Sequence, residues 1–213
     1  MTKRIAIVGG TFDPVHKGHL EPVLAIAPTF DWQQIRLMPT YTPPYREQPL
    51  ATDQQRLDML NLVCAEKDLC IADDFELKRA QPSRTVPTLQ AFKAAHPESE
   101  LYFIMGMDSF VQLNQWQDWQ KLTQFAHLVI LPRPEYSLAQ LPNEVREWMR
   151  LNDQPHQVFE TQAPVVPISS TEIRAALANP QQRDWGCKFL YPQVVDYIES
   201  HNLYGSLPNL GNS

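Results

Sequence analysis

The sequence predicts an α/β fold: an open, doubly wound, mostly parallel sheet with helices on both faces. Three observations carry that prediction. Short apolar runs alternate with helical stretches along nearly all of the 213 residues. The run Leu101-Tyr102-Phe103-Ile104-Met105 is apolar at every position, as a strand covered on both faces requires. The first run, Ile5-Ala6-Ile7-Val8, passes directly into a glycine loop and then a helix. In such sheets ligands bind beyond the carboxyl ends of the strands, at the switch point, which the first and fourth strands usually flank. The loops after Val8 and Met105 are therefore expected to face each other, with right-handed crossovers.

Taken in order, the elements follow from local chemistry. After strand 5–8, a helix is expected over residues 16–27, with Pro22 in its early turns and Pro28 helping to end it. Residues 35–38 form the second strand. Residues 39–49 are a proline-stiffened loop. Thr52-Asp53-Gln54-Gln55 is a capping box that starts a helix to about residue 66. Residues 69–72 are the third strand, and residues 74–83 carry no regular pattern. Helices are expected at 85–95, 116–125, 141–151, 169–177 and 192–201, and further strands at 101–105, 127–131 and 158–159.

Composition bounds the function. With 43% hydrophobic residues the chain suits one domain, residues 1–204, whose C-terminal helical part begins near 169; residues 205–213 read as a disordered tail. The net charge is −6 and no basic run stands out, which argues against a nucleic-acid surface. Cys64, Cys70 and Cys187 form no C-x-x-C pair and read as reduced thiols of a cytoplasmic protein. The first apolar run is too short for a signal peptide, and no stretch approaches a membrane span.

Two segments carry chemistry. In the first, Gly9-Gly10-Thr11-Phe12-Asp13-Pro14-Val15-His16-Lys17-Gly18-His19, the glycines let backbone approach a ligand, and a helix places His16 and His19 on one face. Spacing alone leaves three readings open. They are a capping and a core histidine, half of a metal site, or a pair of N–H donors to phosphate at a helix N-terminus. In the second, Ile168-Ser169-Ser170-Thr171-Glu172-Ile173-Arg174, Ser169 and Glu172 fit a capping box. Three adjacent hydroxyl residues, with Arg174 one turn on, also make a phosphate seat.

Together these segments resemble the nucleotidyltransferase superfamily, with its H-x-G-H motif followed by I-S-S-T-x-x-R. Further matches at Gly9 to Pro14, Pro43-Pro44, Gly106-Met107-Asp108-Ser109, Trp116 and Arg133-Pro134 make the chain similar to bacterial nicotinate-nucleotide adenylyltransferases over about residues 4–204. The chain departs from that pattern at Tyr45, Arg84 and Glu135, where histidine, tyrosine and glycine are common.

The resemblance implies a Rossmann-like nucleotidyltransferase sheet and transfer of the adenylyl group of ATP to nicotinate mononucleotide. It implies His16, His19 and Arg174 as catalytic residues. It places ATP against Gly9, Gly10, Thr11, Phe12, Gly18, Gly106, Asp108, Arg133, Ile168, Ser169, Ser170 and Thr171. The nicotinate nucleotide falls to Tyr45, Arg46, Thr85 and Trp116. Mg²⁺ is implied on the ATP phosphates, with no protein metal cage. The implied partners are small molecules, with neither nucleic acid nor membrane, and the chain is expected to be a monomer or small homo-oligomer. Transfer to nicotinamide mononucleotide or pantetheine phosphate, and a nucleotide-binding module without turnover, are the competing readings.

Overall fold

A computed structural model describes residues 2–41, 48–151 and 156–206. Its elements in chain order are β1 (Lys3–Gly10), α1 (Lys17–Phe30), β2 (Gln34–Pro39), α2 (Asp53–Cys64), β3 (Cys70–Ala72), α3 (Phe75–Arg79) and α4 (Thr85–Ala95). Then follow β4 (Ser99–Gly106), α5 (Met107–Phe110), β5 (His127–Leu131), α6 (Asn143–Leu151), β6 (Val158–Glu160), α7 (Ser170–Leu177), α8 (Arg183–Cys187) and α9 (Pro192–Ser200).

The strands form one sheet in the order β3-β2-β1-β4-β5-β6, and every pairing is parallel. The chain builds outward from β1 through β2 and β3, returns beside β1 as β4, and builds outward the other way. Val8 thus lies between Leu37 and Ile104. The switch point falls between the first and fourth strands, as the alternation of runs predicts.

Period-two alternation divides β1 and β4 between two cores. Ala6, Val8, Tyr102 and Ile104 pack with residues of α1, α2, α7 and α9. Ile5, Ile7, Leu101, Phe103 and Met105 pack with α4, α5 and Val145 of α6 on the other face. Both strands are apolar throughout because both faces are covered.

One polar anchor crosses these layers. Arg56 of α2 is fully buried; it donates to the carbonyls of Thr11 and Thr40, each at 2.7 Å, and pairs with Asp53 at 2.5 Å. It ties α2 to the turns after β1 and β2.

Several local expectations are corrected. Helix α1 runs past Pro28 to Phe30, because a proline removes only its own N–H. It stops where Asp31 turns left-handed (φ 51°) and bonds back to the Ala27 and Pro28 carbonyls. Residues 75–79, read as irregular, form α3; five residues are too few to show a helical period, and the turn is held by Phe75 against Phe92 at 5.2 Å. In the expected helix 116–125 only Trp119–Gln124 is helical, as 3₁₀ turns after Asp118 turns left-handed at φ 56°. Helix α8 was not expected. Trp119 packs edge-on against Trp148 at 5.2 Å, whereas Trp185 stays 44% exposed beside Phe189. The proline-loop residues Pro43, Pro44, Tyr45 and Arg46 and most of the expected tail, 207–213, lie outside the described residues.

Arg56→Met is expected to lower stability by about 2 kcal/mol or more, because two part-buried carbonyls and Asp53 lose the charged donor they share. Urea unfolding measures this; an unchanged midpoint would show that the anchor contributes nothing.

Candidate active site

β1 delivers the chain to the carboxyl edge of the sheet, and the residues after Gly10 turn it back into α1. Phe12 is left-handed (φ 54°) and the Asp13–Pro14 bond is cis. The Phe12 ring is buried and stands edge-on to the His19 ring at 5.0 Å. Its side chain therefore supports His19, which leaves its main chain to face a ligand.

Asp13 organises the turn. Its carboxylate is 4% exposed and accepts hydrogen bonds from the N–H of Leu50 (2.8 Å) and Ala51 (3.0 Å) and from the Tyr204 hydroxyl (2.7 Å). The second motif docks on the same turn. Arg174 donates to the Asp13 carbonyl at 2.7 Å, and its guanidinium lies 3.8 Å from the Asp13 carboxylate. The Ser170 hydroxyl donates to the Pro14 carbonyl at 3.1 Å. Segments more than 150 residues apart in sequence thus meet through main-chain carbonyls of one turn.

His16 is the N-cap residue of α1. Its N–H donates to His19 Nδ1 at 3.2 Å, and the two rings lie 3.7 Å apart. Because that Nδ1 accepts, the neutral His19 ring carries its proton on Nε2. Burial, reinforced by the charge of Arg133, pushes the His16 pKa down to about 3. His16 is therefore neutral at pH 7, and its Nδ1 is buried without a hydrogen-bond partner among the described residues. Gly18 makes this packing possible. A Cβ there would sit 3.0 Å from His16 Nδ1 and 3.2 Å from Ile168 Cγ2. Ile168, the first residue of the second motif, is buried, so Gly18 is where the two segments close on each other.

Helix α7 begins as its sequence predicts. Ser169 is the N-cap; its hydroxyl accepts from the Glu172 N–H at 3.2 Å, and the Glu172 carboxylate accepts from the Ser169 N–H at 2.8 Å. Such a cap contributes about 1 kcal/mol. Ser169 and Thr171 are exposed, whereas Ser170 and Arg174 are half-buried. Lys17 donates to the Lys188 carbonyl at 2.7 Å.

The opposite wall comes from β4 and β5. Arg133 lies 3.5 Å from Asp108 in the first turn of α5. The N-cap there is Gly106, not Asp108, which leaves the carboxylate to Arg133. A Cβ on Gly106 would fall 2.2 Å from Asp108 Oδ1 and 2.9 Å from Arg133 Nε, so only glycine admits this pair. Phe103 packs 3.5 Å from the Cβ direction of Gly9, and the half-buried Trp116 stands edge-on to Phe103 at 6.3 Å. Thr85 is the first residue of α4, and Arg84 is its N-cap. The structure therefore gathers His16, His19, Arg133, Ser170 and Arg174 around one turn. Thr85 stands apart, beside a cavity of about 220 Å³ bordered by Glu76, Arg79, Ser83 and Arg84. Glu135 is left-handed (φ 67°), which explains why glycine suits that position.

The loop motif gave no sign of Arg56 or Tyr204. Each recognises the turn through the fold alone, and only their burial marks them. Among the described residues no group of three or more His, Cys, Asp or Glu gathers as a metal cage. The Asp13 carboxylate is hydrogen-bonded, and the Asp108 carboxylate lies 3.5 Å from Arg133.

A parallel sheet with paired histidines and a hydroxyl-rich helix start at its switch point defines a nucleotidyltransferase. Residues 7–176 match the profile described as cytidylyltransferase-like. A Shewanella baltica protein named probable nicotinate-nucleotide adenylyltransferase is 41% identical over 216 residues, covering 94% of this chain and 99% of its own. A Pectobacterium atrosepticum protein of the same name is 39% identical, covering 96% of this chain and all of its own. The chain belongs to the cytidylyltransferase-like family, among the nicotinate-nucleotide adenylyltransferases. The fold agrees with the solved Plasmodium falciparum nicotinic acid mononucleotide adenylyltransferase complexed with NaAD, at a TM-score of 0.76 and 22% identity over 95% of this chain and 97% of that one.

Two outcomes are expected. The unfolded chain protonates His16 near the ordinary 6.5, whereas the folded chain does so only near 3. The unfolded state binds more protons in that window, so stability falls as pH falls through it. His16→Asn is expected to flatten this dependence, as followed by thermal unfolding; an unchanged slope contradicts a buried neutral ring. Tyr204→Phe is expected to lower stability by about 1–3 kcal/mol through the shortfall at Asp13, and the urea midpoint reports it.

Proposed function

We infer that this chain transfers the adenylyl group of ATP to nicotinate mononucleotide, yielding nicotinate adenine dinucleotide and pyrophosphate. One observation carries the reading beyond membership of the family. The histidine loop and the α7 start are locked together at the β1–β4 switch point, through Arg174 on the Asp13 carbonyl and Ser170 on the Pro14 carbonyl.

The 5′-phosphate of the mononucleotide attacks the α-phosphorus of ATP. The new P–O bond forms as the bond to the β-phosphate oxygen breaks, and pyrophosphate carries away the electron pair. The nucleophile is already an anion, so no general base is needed. Alignment and relief of repulsion between two anions are the protein's tasks. The His19 Nε2–H donates to a phosphate oxygen on which charge builds. His16, kept neutral by burial, contributes shape and one ring N–H. Ser169, Ser170, Thr171 and Arg174 take the leaving β- and γ-phosphates at the N-terminus of α7, where the helix dipole favours anions. Gly9, Gly10, Thr11, Phe12 and Gly18 supply close backbone, and Gly106, Asp108, Arg133 and Ile168 border the nucleotide. Mg²⁺ fits as a passenger of the phosphates and, when bound, neutralises part of their charge. Trp116 and Thr85 serve the pyridine nucleotide, with Tyr45 and Arg46. Residues 1–204 act as one domain.

The test is pyrophosphate release from Mg-ATP with nicotinate mononucleotide, nicotinamide mononucleotide or pantetheine phosphate in turn. Release is expected with the first. Preference for the amide or for pantetheine phosphate moves the acceptor, and no release with any of the three leaves a binding module. His19→Ala is expected to reduce turnover by about 100-fold or more with an unchanged circular-dichroism spectrum. Near-normal turnover in that variant contradicts the role given to the loop.

A further inference from the structure

Glu76 is a carboxylate on α3, 8% exposed and used by nothing at the histidine loop. Both of its oxygens are taken by hydroxyls. Thr88 of α4 donates to Oε1 at 2.6 Å, and Ser83 donates to Oε2. Each hydroxyl in turn accepts a bond from further out. The Tyr41 N–H donates to Ser83 Oγ at 2.9 Å, and Arg79 donates to Thr88 Oγ1 at 3.4 Å.

Each hydroxyl oxygen receives an N–H and gives its own proton to Glu76. Glu76 thus accepts on both oxygens. The chain Tyr41–Ser83–Glu76–Thr88–Arg79 joins the end of β2, where the proline loop leaves, to the start of α4. It also borders the 220 Å³ cavity beside Arg84 and Thr85.

We propose that Glu76 is a positioning residue for the acceptor substrate. Through Ser83 and Thr88 it fixes the 83–85 segment and the Tyr41 root of the proline loop relative to each other, as one preformed wall. This rests on the adenylyl-transfer reading above, with the mononucleotide bound on that side. The residue touches no reacting atom. Its loss loosens the wall and leaves as it was the start of α7, which packs on the opposite face of the sheet from α4.

Glu76→Gln tests this, because the amide offers an acceptor to one hydroxyl and a donor to the other. Ser83→Ala removes the Tyr41 tie and one of the two donors to Glu76, keeps the carboxylate itself, and keeps the proposal testable if the buried substitution impairs folding. Steady-state kinetics should show about a tenfold rise in KM for nicotinate mononucleotide in each variant. KM for ATP should stay within about twofold and kcat should change little. Calorimetric binding of the mononucleotide should weaken in parallel. The double variant should be no worse than the poorer single one, since both break one chain.

A purely structural role gives a lower melting temperature with both KM values unchanged, and overturns the proposal. So does an equal rise in both KM values. Wild-type protein run alongside separates the two claims. If it releases no pyrophosphate with nicotinate mononucleotide, the functional reading fails and takes this one with it. If it turns over normally while the variants keep its KM, only the role of Glu76 falls.

Discussion

The buried Asp13 carboxylate is the constraint on which the site depends. A carboxylate at 4% exposure is tolerable only with its lone pairs filled, and its donors come from three distant places. Leu50 and Ala51 follow the proline loop, Tyr204 follows α9, and Arg174 ends the second motif. Satisfying one charge therefore fixes the positions of four segments. The turn it holds is the one that aims His16 and His19.

The same economy governs the electrostatics. The chain is acidic overall, at a net charge of −6, yet its reaction joins two anions. Local charge decides the matter. Arg133 and Arg174 and the N-termini of α1 and α7 converge at the switch point, and the nearby carboxylates of Asp13 and Asp108 are already paired. His16 stays neutral there because burial and Arg133 both oppose a charge on it. The histidine pair thus divides into a buried support and a partly exposed donor. Identical residue types three apart in sequence acquire different chemistry from their surroundings alone.

Much of the layout was legible because parallel sheets write themselves into sequence. Residues 101–105 are apolar throughout since β4 is covered on both faces, and Ser169 and Glu172 mark a helix start by chemistry that needs no tertiary partner. The corrections come from short elements. Helix α3 has five residues and the 3₁₀ turns at 119–124 have six, so neither completes enough turns to show a period. Glu135 and Phe12 occupy left-handed conformations that their side chains do not advertise.

By itself the sequence determined the alternation of strands and helices, the switch point, and the two motifs that name the chemistry. Those depend on periodicity and on residue types at fixed spacing, which are local properties. The tertiary structure decided what each residue of those motifs is free to do. It showed that Phe12 packs inward, that Lys17 is spent on the Lys188 carbonyl, and that Arg56 and Tyr204 hold the turn from elsewhere. It also turned Glu76, in a stretch that reads as irregular, into the centre of a buried chain. Hydrogen-bond partners far apart along the chain are set by packing, and no spacing rule encodes them.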